Sequence, residues 1–191
     1  MHCPLHYKKP HELAIAVILS AQCTDEQVNK TTPALFDKCR TPEDFIKVPL
    51  QELESLIFST GFYKNKAKSL KGFSKSLVED YNGKIPDQMD QLIKMPGVGR
   101  KTANVIMQEL YGIADGIVVD THVARLSKLL GLTVSGDPVK IEKDLMKKIP
   151  KLYWIDWSLY MIFLGRSYCQ AKKRNCKECF LRDKCPYSDK I

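Results

Sequence analysis

Four cysteines toward the C-terminal end constrain this chain more than any other feature. Cys169, Cys176, Cys179 and Cys185 follow the spacing C-x6-C-x2-C-x5-C. Thiolate sulfur is a soft donor, and four thiolates on so short a segment can close around a zinc ion or an iron–sulfur cluster. The spacing alone leaves both open. A disulfide pair fits less well, because the sequence opens without the charged-then-apolar pattern of an export signal. The other cysteines, Cys3, Cys23 and Cys39, form no pairing pattern, which suits thiols kept reduced inside a cell.

Charge indicates what such a staple serves. The 191 residues carry 30 Lys and Arg against 22 Asp and Glu, a net charge of +8. Four metal-bound thiolates would add negative charge, so the rest of the surface is more basic than the sum. That balance points to a polyanionic partner bound with steep salt dependence, or to a soluble protein that merely has excess lysine. No apolar run approaches the ~20 residues that cross a bilayer. The reading is an intracellular protein long enough for one domain or two small lobes.

A second motif is Leu92-Ile93-Lys94-Met95-Pro96-Gly97-Val98-Gly99-Arg100-Lys101-Thr102-Ala103-Asn104. Pro96, Gly97 and Gly99 break one apolar helix and allow a tight turn. The helical pattern resumes after Arg100, with Ala103, Val105, Ile106, Leu110 and Tyr111 available for burial. A Gly-rich turn at a helix N-terminus offers unpaired N–H groups to a phosphate. The P-loop spacing and a preceding strand are both missing, so a nucleotide-binding loop fits poorly. A plain helix connection is the alternative; the basic pair Arg100–Lys101 and the net charge favour a clamp on a DNA backbone.

The remaining pattern is helical. His11–Ala21 is apolar on most sides and reads as a buried helix, and Asp25–Phe36 is amphipathic. Thr41-Pro42-Glu43-Asp44 signals a helix start, as does Pro86-Asp87. Ser55–Ser59 ends at Gly61, a plausible C-cap. Lys66–Tyr81 turns Leu70, Phe73, Leu77 and Val78 inward, Asp137-Pro138 opens a helix carrying Ile141, Leu145 and Ile149, and Ser158–Gly165 leads into the cysteine loop. Gly116–Val119 alone hints at extended backbone.

Together the hairpin, the cysteine loop and two further segments, Leu19-Ser20-Ala21-Gln22-Cys23-Thr24-Asp25 and Val118-Val119-Asp120-Thr121-His122-Val123-Ala124-Arg125, resemble endonuclease III. That family comprises DNA glycosylase/AP lyases of the helix-hairpin-helix superfamily. The resemblance runs from about Pro10 onward and implies an all-α fold of two helical lobes flanking a DNA-binding cleft. A six-helix barrel with the helix-hairpin-helix would span residues 1–113, and an iron–sulfur lobe residues 114–191. The family has an extra N-terminal helix that this sequence begins without. The resemblance also implies a 4Fe-4S cluster on Cys169, Cys176, Cys179 and Cys185. The partner would be double-stranded DNA containing damaged bases or abasic sites. The protein would be a cytoplasmic monomer, nucleoid-associated when bound to DNA.

The chemistry implied is that of an amine nucleophile. Lys101 would attack the sugar C1′ and form a Schiff base. An ordinary lysine titrates near pH ~10.4, so such a nucleophile needs surroundings that favour its neutral form. Partial burial, the positive end of the helix and Arg100 are the influences the sequence offers. Asp120 would support the developing oxocarbenium charge and assist proton transfer, although it also suits a helix N-cap. Gln22 would fill the space left by the extruded base, and Phe62 would be an intercalating wedge or else a core residue. Gly97, Gly99, Arg100 and Thr102 would bind the DNA backbone, with His122 and Asp25 at the pocket rim. Lys172, Lys173 and Arg174 read as a phosphate-binding loop or a solvated basic loop that offsets cluster charge.

Two places depart from the family. Trp157–Arg166 lacks the adjacent histidines and the His-Gly-Arg usual before the cluster, and Ile93 stands where the bacterial enzyme has an acid. The Leu164-Gly165 step is closer to adenine and mismatch glycosylases, which carry Ser or Tyr in place of Lys101. The leading expectation is removal of oxidised pyrimidines with strand cleavage. The alternatives are a monofunctional adenine or mismatch glycosylase and a non-catalytic, metal-stapled DNA-binding protein.

Overall fold

The computed structural model describes residues 4–187. Every regular element among them is helical; a single antiparallel bridge joins Cys169 and Arg174. The chain divides into two compact units, Met1–Ile113 and Ala114–Ile191. Cys3 lies outside the described residues. No helix among those described is long and apolar enough to cross a membrane.

The first unit is organised around α1 (Pro10–Leu19), whose residues from Glu12 to Leu19 are all buried. A helix apolar on every side can be satisfied only at the centre of a domain. Around it lie α2 (Asp25–Lys38), α3 (Pro42–Lys47), α4 (Leu50–Leu56), α5 (Tyr63–Glu79), α6 (Met89–Leu92) and α7 (Arg100–Tyr111). Thr41 caps α3 in a reciprocal box: its hydroxyl accepts from Asp44 N and Asp44 accepts from Thr41 N. On α5, Ala67, Leu70, Phe73 and Leu77 form the buried stripe.

Several boundaries differ from the sequence reading. The helix expected over Ser55–Ser59 is α4, which starts at Leu50 and stops at Leu56; a separate 3-10 turn, Phe58–Thr60, then ends at Gly61 with φ 69°. The start expected at Pro86-Asp87 falls at Met89, because the Asp87 carboxylate accepts from the Gln88 side chain and caps no helix N–H. α2 continues past Phe36 and runs through Pro33, since its buried Val28, Thr31, Thr32 and Leu35 hold it together.

The second unit comprises α8 (Thr121–Leu129), α9 (Pro138–Lys148) and α10 (Trp154–Ser167), followed by the cysteine loop. Its core is Ile117, Val123, Leu126, Ile141, Leu145, Met161 and Leu164. Gly116–Val119 joins no ladder; the Val118 carbonyl instead accepts a hydrogen bond from Ser158 Oγ at 2.6 Å.

Candidate active site and cysteine loop

The hairpin between α6 and α7 is fixed by burial at alternate points. Met95 and Val98 are buried, while Pro96, Gly97 and Gly99 face out. Gly97 has φ 79°, and a Cβ there would lie 2.7 Å from Ser69 Cβ and 3.3 Å from Ile18 Cγ2. Both backbone angle and space therefore demand glycine. Gly99 differs: it is the N-cap of α7 with φ −89°, and a Cβ there would meet nothing within 4 Å. Arg100, Lys101 and Thr102 form the first turn of α7, where the helix dipole favours an anion. Lys101 is exposed and Arg100 and Thr102 are half-buried. Partial burial of Lys101 is thus not supplied by its own surroundings, because the second position of α7 points away from the apolar face of Ala103, Ile106 and Met107.

Gln22 and Phe62 share an unusual backbone state. Both are exposed and both lie in the left-handed region, with φ of 53° and 48°. For non-glycine residues that conformation costs about 1–3 kcal/mol and recurs at functional sites. Phe62 is 65% exposed, so it is no core residue; its neighbours Phe58 and Tyr63 pack on each other instead.

The loops presenting these two residues are tied together. Lys66, only 6% exposed, donates from Nζ to the carbonyls of Leu19 and Thr60, each at 2.8 Å. Burial pushes its ammonium below the ordinary lysine value, with Cys23 acting in the opposite direction. Nearer the surface, Ser59 Oγ accepts from Gln27 Nε2 and pairs with Thr31 Oγ1, both at 3.0 Å. The sequence reading missed Lys66, although it carried a signal: a lysine set among Ala67, Leu70 and Phe73 lies on the apolar stripe.

In the second unit Asp120 is the N-cap of α8, its Oδ1 accepting from Val123 N at 2.8 Å. His122 packs against Gly165 so closely that a Cβ at residue 165 would sit 2.4 Å from Nδ1. Leu164 belongs to the core. The Leu164-Gly165 step therefore has a packing reason independent of which base is recognised. Thr121, His122, Arg125, Gly165, Arg166 and Gln170 line an open pocket with a basic wall. Asp25 lies in the first turn of α2, in the other unit.

All four loop cysteines are half-buried and line one cavity, walled by Leu126, Leu129, Leu164, Tyr168 and Leu181. Among the described residues no three His, Cys, Asp or Glu side chains converge as ligands of one metal ion. The donor set is thus four thiols ringing a common space, with apolar walls to keep water away. Arg125 braces the ring: Nη2 donates to the Cys169 carbonyl at 2.7 Å and Nη1 lies 4.0 Å from Cys169 Sγ. Lys172 and Lys173 are exposed. Arg174 stacks over Tyr187 at 4.8 Å and lines the cysteine cavity.

These features define a helix-hairpin-helix protein whose second unit carries a four-cysteine loop. Residues 15–151 match the HhH-GPD superfamily base excision DNA repair protein family. Endonuclease III of Synechocystis sp. is 50% identical over 96% of this chain and 84% of its own length. The Bacillus subtilis endonuclease III is 48% identical over the same shares. The structure of a trapped endonuclease III–DNA covalent intermediate superposes with a TM-score of 0.89 at 48% identity, covering 99% of this chain and 89% of that one. The chain belongs to the HhH-GPD superfamily and, within it, to the endonuclease III family.

Proposed function

We propose that this chain excises oxidised pyrimidines from duplex DNA and cleaves the resulting abasic site through Lys101. Membership of the family makes it a bifunctional base-excision-repair glycosylase and AP lyase; the residue roles and the lesion class are the proposal. The carrying observation is an exposed lysine in the first turn of α7, directly behind a glycine hairpin shaped for phosphate. A covalent DNA intermediate trapped in a relative 48% identical supports it, because covalency requires a nucleophile of this kind.

The hairpin N–H groups and Arg100 hold the backbone beside the damaged nucleotide. The neutral Lys101 amine attacks C1′ as the C1′–N bond to the base breaks, and Asp120 stabilises the positive charge on the sugar. Ring opening gives the Schiff base, and loss of a C2′ proton expels the 3′ phosphate. Gln22 and Phe62 occupy the space left in the duplex. His122 would contact the DNA, and Lys172, Lys173 and Arg174 would offset phosphate charge, Arg174 from its place against Tyr187. The exposed loop lysines and the pocket around His122 and Arg166 support a DNA partner.

Cys169, Cys176, Cys179 and Cys185 would hold a 4Fe-4S cluster. Their placement around one apolar-walled cavity supports a shared group bound by all four thiolates, and kinship with endonuclease III favours the iron–sulfur cluster over a zinc ion. When bound, the cluster supplies a structural cross-link and negative charge beside basic residues.

The test is borohydride trapping on thymine-glycol and abasic duplexes with wild type and Lys101→Gln. A covalent adduct formed by wild type and lost in the variant establishes the nucleophile. An adduct that survives in Lys101→Gln moves the chemistry to another amine, and base release without any adduct establishes a monofunctional glycosylase.

A further inference from the structure

We propose that Lys66 is a positioning residue that, with the Ser59 strut, locks the Gln22 and Phe62 loops into a single insertion platform. The inference rests on the reading above that Gln22 and Phe62 enter the duplex. The two residues lie on different loops, one after α1 and one before α5. Each is exposed and held at positive φ, a state an untethered loop would leave. Lys66 Nζ bonds the Leu19 carbonyl, three positions before Gln22, and the Thr60 carbonyl, two before Phe62.

The choice of atoms is informative. Leu19 O belongs to the last turn of α1, where carbonyls lack helical partners and the dipole favours a cation. Lys66 therefore stabilises the end of one helix and draws the neighbouring loop to it. Its two partners are neutral carbonyls in a buried setting, so an apolar side chain of the same length would fill the space but leave both acceptors without a donor. The ammonium is kept where burial opposes it. What it contributes that packing would not is a fixed distance between two backbones. Ser59, bonded to Gln27 and Thr31 on the helix that follows Gln22, makes a second link between the same loops. Inserting groups that move as one body need little ordering when the base leaves, and a shift of ~1 Å at such a site can cost ~100-fold in rate.

The experiment compares excision from a thymine-glycol duplex with borohydride trapping on a single-stranded abasic oligonucleotide, where no base need be extruded and no gap filled. Lys66→Met is expected to slow duplex excision by roughly 10–100-fold while leaving single-strand trapping at the wild-type level. Lys66→Arg, which keeps charge and donors, restores most of the rate. Phe62→Ala and Gln22→Ala show the same selective loss, and Lys66→Met combined with Phe62→Ala is no slower than the worse single variant. Equal loss on both substrates, or no loss on either, overturns the proposal. Should Phe62→Ala and Gln22→Ala leave duplex excision unchanged, the DNA-contact reading itself fails; a selective loss in those two without one in Lys66→Met defeats the platform alone. If Lys66→Met does not fold, exposed Ser59→Ala decides, with a several-fold loss confined to duplex in support and an unchanged rate against.

Discussion

Among the described residues the first unit buries 26 apolar side chains, whereas the second buries eight and lines part of its interior with four cysteines. The first holds its shape by packing against a helix that is apolar all round. The second has α8, α9 and α10 in contact over a small core, then a loop of 3-10 turns with little regular hydrogen bonding. A segment of that size buries little surface, so the group proposed for the four cysteines would take over work that packing performs elsewhere. The contrast extends to the sites. In the first unit glycine, lysine and backbone strain shape the exposed groups; in the second the same helix that carries Asp120 and His122 also carries Arg125, which bonds the Cys169 backbone.

The contrast breaks first at the staple. Cys179→Ala, or removal of the proposed cluster from the wild type, is expected to abolish protection of residues 114–191 in hydrogen exchange and expose them to protease, while residues 1–113 keep theirs. Simultaneous loss in both units would show that the first also depends on the metal.

A smaller effect separates the two hairpin glycines. Gly97→Ala faces positive φ and a 2.7 Å contact with Ser69 Cβ, and should cost about 1–3 kcal/mol in thermal or denaturant unfolding of the first unit. Gly99→Ala, in open space at φ −89°, should leave stability within ~0.5 kcal/mol while weakening binding to an abasic duplex. Equal stability losses would remove the distinction between a glycine required by the fold and one kept clear for DNA.

The smallest effect is acid sensitivity in the first unit. Burial lowers His11 below its ordinary 6.5, with Glu12 opposing, and Nε2 is buried without a partner. The unfolded chain therefore binds the proton more readily than the folded one. Stability should fall as pH drops through 6.5 toward the lower folded value, then level off. His11→Gln should flatten that decline between about pH 7 and 5, measured by denaturant midpoints across pH. A decline unchanged in the variant would assign it to carboxylates.

Much of the fold was legible because its signals are local. The apolar run before Ser20, the Thr41 and Asp137 starts and the stripe of Leu70, Phe73 and Leu77 all rest on neighbours three or four positions away. The hairpin was legible because Pro96 and Gly97 admit few backbones. What escaped depends on distant partners. Lys66 is chemically like Lys64 until the Leu19 and Thr60 carbonyls, 47 and 6 positions away in sequence, come within reach. Leu164-Gly165 read as a hint about substrate because the sequence gives no sight of His122 lying against Gly165. The exposure of Lys101 was likewise set by which side of α7 the apolar stripe claims.

Asp120 is the N-cap of α8, and the cap engages a single oxygen, Oδ1. Asparagine, serine or threonine would end α8 about as well. Folding therefore gains only a fraction of a kcal/mol, ~0.3–1, from the negative charge at the helix N-terminus; the proposed chemistry is what asks for it. A chain of this architecture can lose its chemistry by exchanging one carboxylate for an amide and remain a well-folded DNA-binding protein.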